Sequence, residues 1–318
     1  METGISAGIA SKLDLCEERG VLLARSNPSE ARALARAAKG GLLVSPHPGI
    51  FARSEYWESL TPLEKNVALA KTLGPLHSGW VFSHQTAALL HGVSVSYRCL
   101  EKVHYTTHKK GGGRSSGCLA HHQASLLEWR EIGGVRVTTP AMTAIDCART
   151  LALSDALAIM DASLRMGITD EADLKACLRR HKGGAGIGRA RQVFELADAR
   201  AESPAESIAR ATIIGLGVPI YDLQMVVADL EHPGKSYRLD IVLRRSDGVL
   251  VDVEVDGREK YEKLASAQGD DAVSSMMKER QREAAVTAHG ILVARISATD
   301  AGNQSVMRRR LRAYGLIP

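Results

Sequence analysis

The sequence predicts an α/β chain, α+β overall, in three parts: helices leading into a β-ribbon over 1–60, a mixed α/β segment over 61–200, and a sheet-centred α/β segment over 201–318. Three observations carry this. Residues 237–257, YRLDIVLRRSDGVLVDVEVDG, alternate apolar and polar with the period of two of half-buried strands, around a Ser246-Asp247-Gly248 turn. That hairpin sits in the order helix, three strands, helix, strand, which is an α/β order. Upstream, a cap residue followed by proline marks helix starts at Asn27-Pro28 and Thr139-Pro140.

Residues 12–24 and 28–39 read as two helices, and GGLLVSPHPGIFARS as a short ribbon with turns at Pro46 and Pro48-Gly49. Helices followed by a ribbon predict a winged helix-turn-helix, whose helix enters a DNA major groove while the wing lies along the backbone. Residues 61–73 and 83–91 read as helices, the second capped by serine. Strands are expected at 101–107, 117–122 and 134–138, and a helix at 139–151. SDALAIMDASLRMG and TDEADLKACLRRH are two further helices, capped by Ser154 and Thr169, with Gly167 closing the first. GGAGIG at 183–188 has no strand before it and no Lys-Ser/Thr pair after it, so it reads as a linker and not as a phosphate cradle. A helix over 189–199 follows. SPAESIARATIIGLG then opens the last segment at about 203, with a strand at 222–228, the hairpin, a helix ending at Gly290, and the buried strand ILVARIS.

Composition is that of a soluble globular protein: 45% apolar and 24% charged over 318 residues. The five cysteines are odd in number and widely spaced, which predicts reduced thiols in a cytoplasmic protein and excludes a disulfide scaffold. The N-terminus has no basic and apolar leader, and no apolar run is long enough to span a bilayer, so no membrane role is expected. The net charge of +5 is uneven: residues 61–200 carry 18 basic and 12 acidic groups, against 7 and 7 before them and 16 and 17 after. The excess is densest around Arg98, Lys102, Lys109, Lys110, Arg114, Arg130 and Arg136, a surface suited to a polyanion such as DNA. HKKGGGRSSG within it is too polar and glycine-rich to fold by itself.

The hairpin predicts a site. Placing Leu239, Ile241 and Leu243 on the same side of the sheet as Val251, Val253 and Val255 requires Ser246, Asp247 and Gly248 to form a three-residue loop, with Gly248 free to take positive φ. Asp240 then stands opposite Glu254, and Asp252 and Asp256 flank Glu254 on its own side. Crowded carboxylates raise each other's pKa. A hard divalent cation, Mg²⁺ or Mn²⁺, offsets that cost and makes Asp240, Glu254 and Asp256 the expected ligands; the alternative is a solvated acidic edge.

A helix bearing Glu206, then Asp240 on one strand and Glu254 on the next, resembles the PD-(D/E)XK nuclease superfamily, and most nearly its very-short-patch-repair-like branch, whose second strand ends E-x-D-G-x-x-K-Y. Here that stretch is Glu254-Val255-Asp256-Gly257-Arg258-Glu259-Lys260-Tyr261. The resemblance covers roughly 203–300 and implies a restriction-endonuclease-like fold and metal-dependent cleavage of phosphodiesters. Asp240 and Glu254 would hold the ion, Asp256 would add a ligand or orient the water, and Lys260 would stabilise charge on the phosphate. The superfamily lysine two residues after Glu254 is Asp256 here, so Lys260 or Lys278 replaces it or the site is degenerate. Glu206 is either a metal ligand or the N3 residue of a Ser203 capping box. Arg280 and Arg282 read as a solvated helix face, with the phosphate backbone as the other partner.

VFSHQTAALLHGV at 81–93 and VRVTTPAMTAIDCARTL at 135–151 resemble AbiEi-type antitoxins, in which a winged helix precedes a mixed α/β domain. This implies DNA binding, and a toxin encoded next to it as partner. Together the two resemblances predict either a DNA-binding endonuclease or a non-catalytic regulator. Seven histidines lie within 77–122, among them His84, His91, His104, His121 and His122, yet their spacing fits no zinc pattern. Ser83-His84 offers no identifiable third member for a nucleophilic triad.

Overall fold

The computed structural model describes residues 5–108, 115, 117–256 and 270–318. The chain divides into two compact units, Met1–Arg149 with Ile168–Ala190, and Thr150–Gly167 with Arg191–Pro318.

The first unit begins with α1 (Ala7–Glu18), β1 (Leu23–Ala24), α2 (Pro28–Lys39), β2 (Leu43–His47) and β3 (Ile50–Arg53), the strands forming a sheet in the order β1-β3-β2. The helix expected over 12–24 therefore starts and ends earlier. Gly20 at φ 63 closes it, and Leu23 and Ala24 pair with Phe51 and Ile50. At α2 the Asn27 side chain accepts the Glu30 N–H, as the cap predicts. Gly49 at φ 82 makes the ribbon turn, whereas Pro46 lies inside β2, at a register shift between Val44 and His47.

After α3 (Ser54–Ser59) comes α4 (Pro62–Leu76), held at its start by a reciprocal capping box of Thr61 and Glu64. A second sheet has the order β6-β5-β4-β8-β7, from β4 (Val81–Phe82), β5 (Val103–Thr107), β6 (Leu119–Gln123), β7 (Trp129–Ile132) and β8 (Val135–Thr138). β4 is too short, and β7 too exposed, for alternation to reveal either one. Helices α5 (His84–Leu90), α6 (Pro140–Thr150) and, further along, α8 (Glu171–Arg180) complete the unit. Phe82, Leu73, Ala70 and Val137 share one buried core with Leu22, Ile50 and Ala52. The boundary expected at residue 60 thus falls inside continuous packing.

The second unit takes α7 (Leu153–Arg165), which packs on α10 (Pro204–Gly215). Asp161 of α7 is fully buried and accepts from Arg210 at 2.7 Å and from the Asp198 N–H at 2.8 Å, so this helix belongs with the C-terminal sheet and not with the segment ending at 200. The division between units falls within α9 (Ile187–Leu196). The cap of α7 is Ala152, not Ser154, and that of α8 is Asp170, which reaches the Asp173 N–H in place of Thr169.

The sheet of this unit has the order β12-β11-β10-β9: β9 (Asp222–Ala228), β10 (Ser236–Arg244) and β11 (Leu250–Asp256) run antiparallel, and β12 (Leu292–Ser297) is parallel to β11. α11 (Asp270–Ala288) precedes β12 and α12 (Gln304–Ala313) follows it. The hairpin register is the expected one: Ile241 faces Val253, Leu243 faces Val251, the Arg245 N–H donates to the Val249 carbonyl at 2.9 Å, and Gly248 sits at φ 90. Ile241, Leu243, Val251 and Val253 pack with Ala209 and Ile213 of α10 and Met307 and Leu311 of α12. Leu239 departs from expectation and clusters with Val227, Val242, Val286 and Ile291. Beside it Gln224, which the register sets across from Asp240, adopts φ 53, and the strand alternation resets there. α12 escapes a sequence reading because QSVMRRRLRA is dominated by arginine; only Met307 and Leu311, four apart, are buried. Among the described residues no helix is long and apolar enough to cross a membrane.

Candidate functional site

The predicted carboxylates lie on β10, β11 and the first turn of α10. Four are buried, not solvated, Asp252 at 1% exposed, Glu254 3%, Asp256 6% and Glu206 8%, and Asp240 is half-buried. Burial pushes the Asp240 carboxyl up to about 6, with Glu206 and Glu254 adding to it against a hydrogen bond from the Val255 N–H at 3.1 Å. Asp252 is pushed up to about 7, first by burial and then by Asp240 and Glu254. Desolvation leads and mutual repulsion follows, the reverse of the sequence-based emphasis.

Glu206 does more than cap. Ser203 accepts the Glu206 N–H at 3.2 Å, but the Glu206 carboxylate accepts from the Glu202 N–H at 2.8 Å and from Gln224 Nε2 at 3.1 Å, leaving the box unreciprocated. Gln224, at its left-handed φ, thus ties α10 to the sheet beside Asp240.

The charge is offset by two arginines. Arg282 on α11 ion-pairs with Glu254 and donates to the Arg238 carbonyl at 2.9 Å, with 20% of its side chain exposed. Burial opposes its charge, yet Glu254 and Glu279 hold its pKa above the ordinary value. This corrects the expectation that Arg282 lies on a solvated face. Arg280 does lie exposed on α11. Arg295 on β12 pairs with Glu279 and approaches Glu254 at 3.4 Å, Glu283 at 3.6 Å and Asp256 at 3.8 Å. Asp256 therefore turns to Arg295, and among the described residues no three of Glu206, Asp240, Asp252, Glu254 and Asp256 bring their oxygens within 4.8 Å of one another. The donor chemistry still fits a hard cation: all oxygens, with Asp252 Oδ1 buried and lacking a hydrogen-bond partner among the described residues.

Of the expected phosphate contacts, Lys109, Lys110, Arg114 and the catalytic candidate Lys260 lie outside the described residues. Arg130 and Arg136 are exposed but engaged, Arg130 with His91 Nδ1 at 2.9 Å and Arg136 with the Ser78 carbonyl at 2.7 Å and over the Trp129 ring at 4.5 Å. Sequence reasoning missed Arg295, and with it the exposed Arg308, Arg309, Arg310 and Arg312 on α12.

It also missed a histidine cluster. His84, His104 and His122, from α5, β5 and β6 of the first unit, bring ring nitrogens within 4.8 Å of one another. The spacing rules fail because the three residues come from three elements. Three of the other histidines in the stretch are used elsewhere: His91 Nε2 meets the Thr138 carbonyl at 2.8 Å, His77 stacks on Trp80, and His121 meets Thr107 at 2.9 Å.

No family model matches the chain. Two uncharacterized proteins of Mycobacterium tuberculosis, MT2308 from strain CDC 1551 / Oshkosh and Rv2248 from H37Rv, are each 35% identical to it over 122 residues, 38% of this chain and 44% of the relative. The chain thus spans less than half the length of the curated relatives it matches.

Proposed function

We propose that this chain is a cytoplasmic DNA-binding protein whose second unit cleaves phosphodiester bonds with a divalent cation, Mg²⁺ or Mn²⁺. The observation that carries the reading is the half-buried Asp240, whose carboxyl both Glu254 of the next strand and Glu206 of the helix turn push up. Asp240 and Glu254, with Asp252, would hold the cation, which supplies a lowered pKa for bound water and polarises the scissile phosphate. Glu206 fixes α10 against the sheet through Glu202 and Gln224. Arg295, with Lys260, faces the task of balancing charge on the phosphate. Exposed Arg280 and the four arginines of α12 offer backbone contacts in this unit, and Lys109, Lys110 and Arg114 offer them in the other.

A second reading has its own support. Glu254 is already paired with Arg282 and Arg295, and an aspartate stands at the superfamily lysine position. On that reading the chain is a non-catalytic regulator of the AbiEi type, its partner a toxin encoded beside it. Supercoiled plasmid incubated with Mg²⁺ or Mn²⁺ separates the two. The enzyme nicks it and Glu254→Ala does not; equal absence of nicking by wild type and variant removes the enzyme. Salt-sensitive gel-shift of the chain's own upstream DNA, without cleavage, then supports the regulator.

A further inference from the structure

Three imidazoles converge in the first unit, whereas the carboxylates considered above belong to the second. His104 Nδ1 lies 3.0 Å from His122 Nε2, and the His84 ring stacks on that of His122 with centroids 3.8 Å apart. Two nitrogens bound tetrahedrally to one ion at about 2.0–2.1 Å stand roughly 3.3 Å apart, so the His104–His122 pair needs little change to accept a metal, while the stacked His84 ring must turn to bring an in-plane lone pair onto the same ion.

His84 is positioned at a cost. It opens α5 at φ 53, in the left-handed region that non-glycine residues seldom occupy outside constrained sites, and it is 5% exposed. Its Nδ1 contacts Ser83 Oγ at 2.9 Å, and Thr106 Oγ1 donates to the same oxygen at 2.8 Å. Ser83 can accept the Nδ1–H with its second lone pair, leaving Nε2 of His84 as the basic nitrogen. A hydroxyl that holds one ring nitrogen and leaves the other as the donor atom is the second-sphere arrangement of metal-bound histidine.

The protonation state suits a ligand. Burial, helped by the neighbouring histidines, holds His84 well below its ordinary pKa; burial and His122 bring His104 to about 4, and burial and His121 bring His122 to about 4. Each shift favours the neutral imidazole, the form whose nitrogen can ligate a metal ion. Of the cations that face the cluster, Arg149 is drawn off by Asp146 at 3.2 Å and the Ala185 carbonyl at 2.6 Å, and Lys102 acts on His104. His84 is buried while His104 and His122 are half-buried, which leaves an approach from the β5–β6 side.

We propose that His84, His104 and His122 form a binding site for one divalent transition-metal ion of the zinc type. Imidazole nitrogens select such ions over Mg²⁺, and three protein ligands leave a fourth tetrahedral position for water or a substrate atom.

The test uses the full chain and Co²⁺ or Zn²⁺ as probe, with excess Mg²⁺ present to fill hard-oxygen sites. Wild type is expected to bind one Co²⁺ per chain, with visible ligand-field bands that Zn²⁺ abolishes. His104→Gln/His122→Gln should lose the site, Ser83→Ala should keep the stoichiometry and bind about 10–100-fold more weakly, and His289→Gln, at an exposed position, should match wild type. Absence of stoichiometric binding by wild type, or unchanged binding by the double variant, overturns the proposal. Should the double variant not fold, carbethoxylation of the wild type mapped by mass spectrometry decides: Zn²⁺ protects His104 and His122 but not His289, and equal modification with and without Zn²⁺ overturns the site. Neither readout depends on whether the second unit cleaves DNA.

Discussion

Glu254 on β11 and Arg295 on β12 are register partners in a parallel pair, with carboxylate and guanidinium 3.4 Å apart, and Arg282 meets the same carboxylate from α11. The acidic edge is therefore tied to the helix above it. Removing Arg282 leaves Glu254 buried with half its compensation, and losses of this kind are large compared with surface changes. Arg282→Ala should lower stability by about 1–3 kcal/mol in urea unfolding, while Arg280→Ala, one turn-face away and exposed, should change it by less than about 0.5 kcal/mol. Equal effects would restore the solvated-face reading.

Asp252 gives the second unit a pH dependence. Its carboxyl is raised from 3.8 to about 7. The fold keeps the proton up to that pH while the unfolded chain releases it near 4. The contribution is fully present below pH 4 and is lost as pH rises through about 7. Asp252→Asn cannot titrate, so it should match wild type near pH 4 and exceed it at pH 8, by on the order of 2–4 kcal/mol at most. Circular-dichroism melts at the two pH values check the sign. A gap that closes toward alkaline pH would refute it.

How much of this was legible depended on distance along the chain. The hairpin was readable because period, turn and register are local: Gly248 supplies the positive φ, and Ile241 and Leu243 against Val253 and Val251 fix the pairing. The carboxylates' companions were not. Arg282 lies 28 residues beyond Glu254, and its role depends on how α11 crosses the sheet, which no spacing rule encodes. The same holds for the histidines. The N-terminal pair of helices and its ribbon were legible apart from the ends of α1, which begins at Ala7 and stops at Glu18, leaving Leu23 and Ala24 of the apolar run 21–24 to a strand. Caps were misassigned by one or two residues: Thr169 competes with the adjacent Asp170, which does the job, and α7 starts after Ala152 without any side-chain cap although Ser154 is the better capping residue.

The histidine cluster should make the first unit acid-sensitive. His104 and His122 are neutral in the fold down to about 4, whereas their unfolded counterparts take a proton near 6.5. Stability from these groups is complete above 6.5 and is lost as pH falls through about 4. The chain's three tryptophans, Trp57, Trp80 and Trp129, all lie in this unit, so their fluorescence reports it alone. Its melting temperature should fall between pH 6.5 and 4, and His122→Gln should flatten that slope. An unchanged slope in the variant would assign the loss to other groups.

The glycine-rich stretch at 183–188, expected to be a linker, contains one position that packing dictates. Gly186 sits at φ 74, and a Cβ built there would lie 2.6 Å from the Arg149 carbonyl oxygen. That residue is the one whose side chain bridges Asp146 and Ala185, so the close approach anchors α6 in the neighbourhood of the histidines. Gly188, two residues on and inside α9, has open space around its Cβ direction. Substituting alanine should therefore have opposite signs at the two sites. Gly186→Ala should destabilise the first unit by about 1–3 kcal/mol, through positive φ and the backbone clash together. Gly188→Ala should stabilise it by about 0.4–1 kcal/mol, because only the unfolded chain loses freedom. Tryptophan-detected unfolding measures both, and a linker would show neither effect.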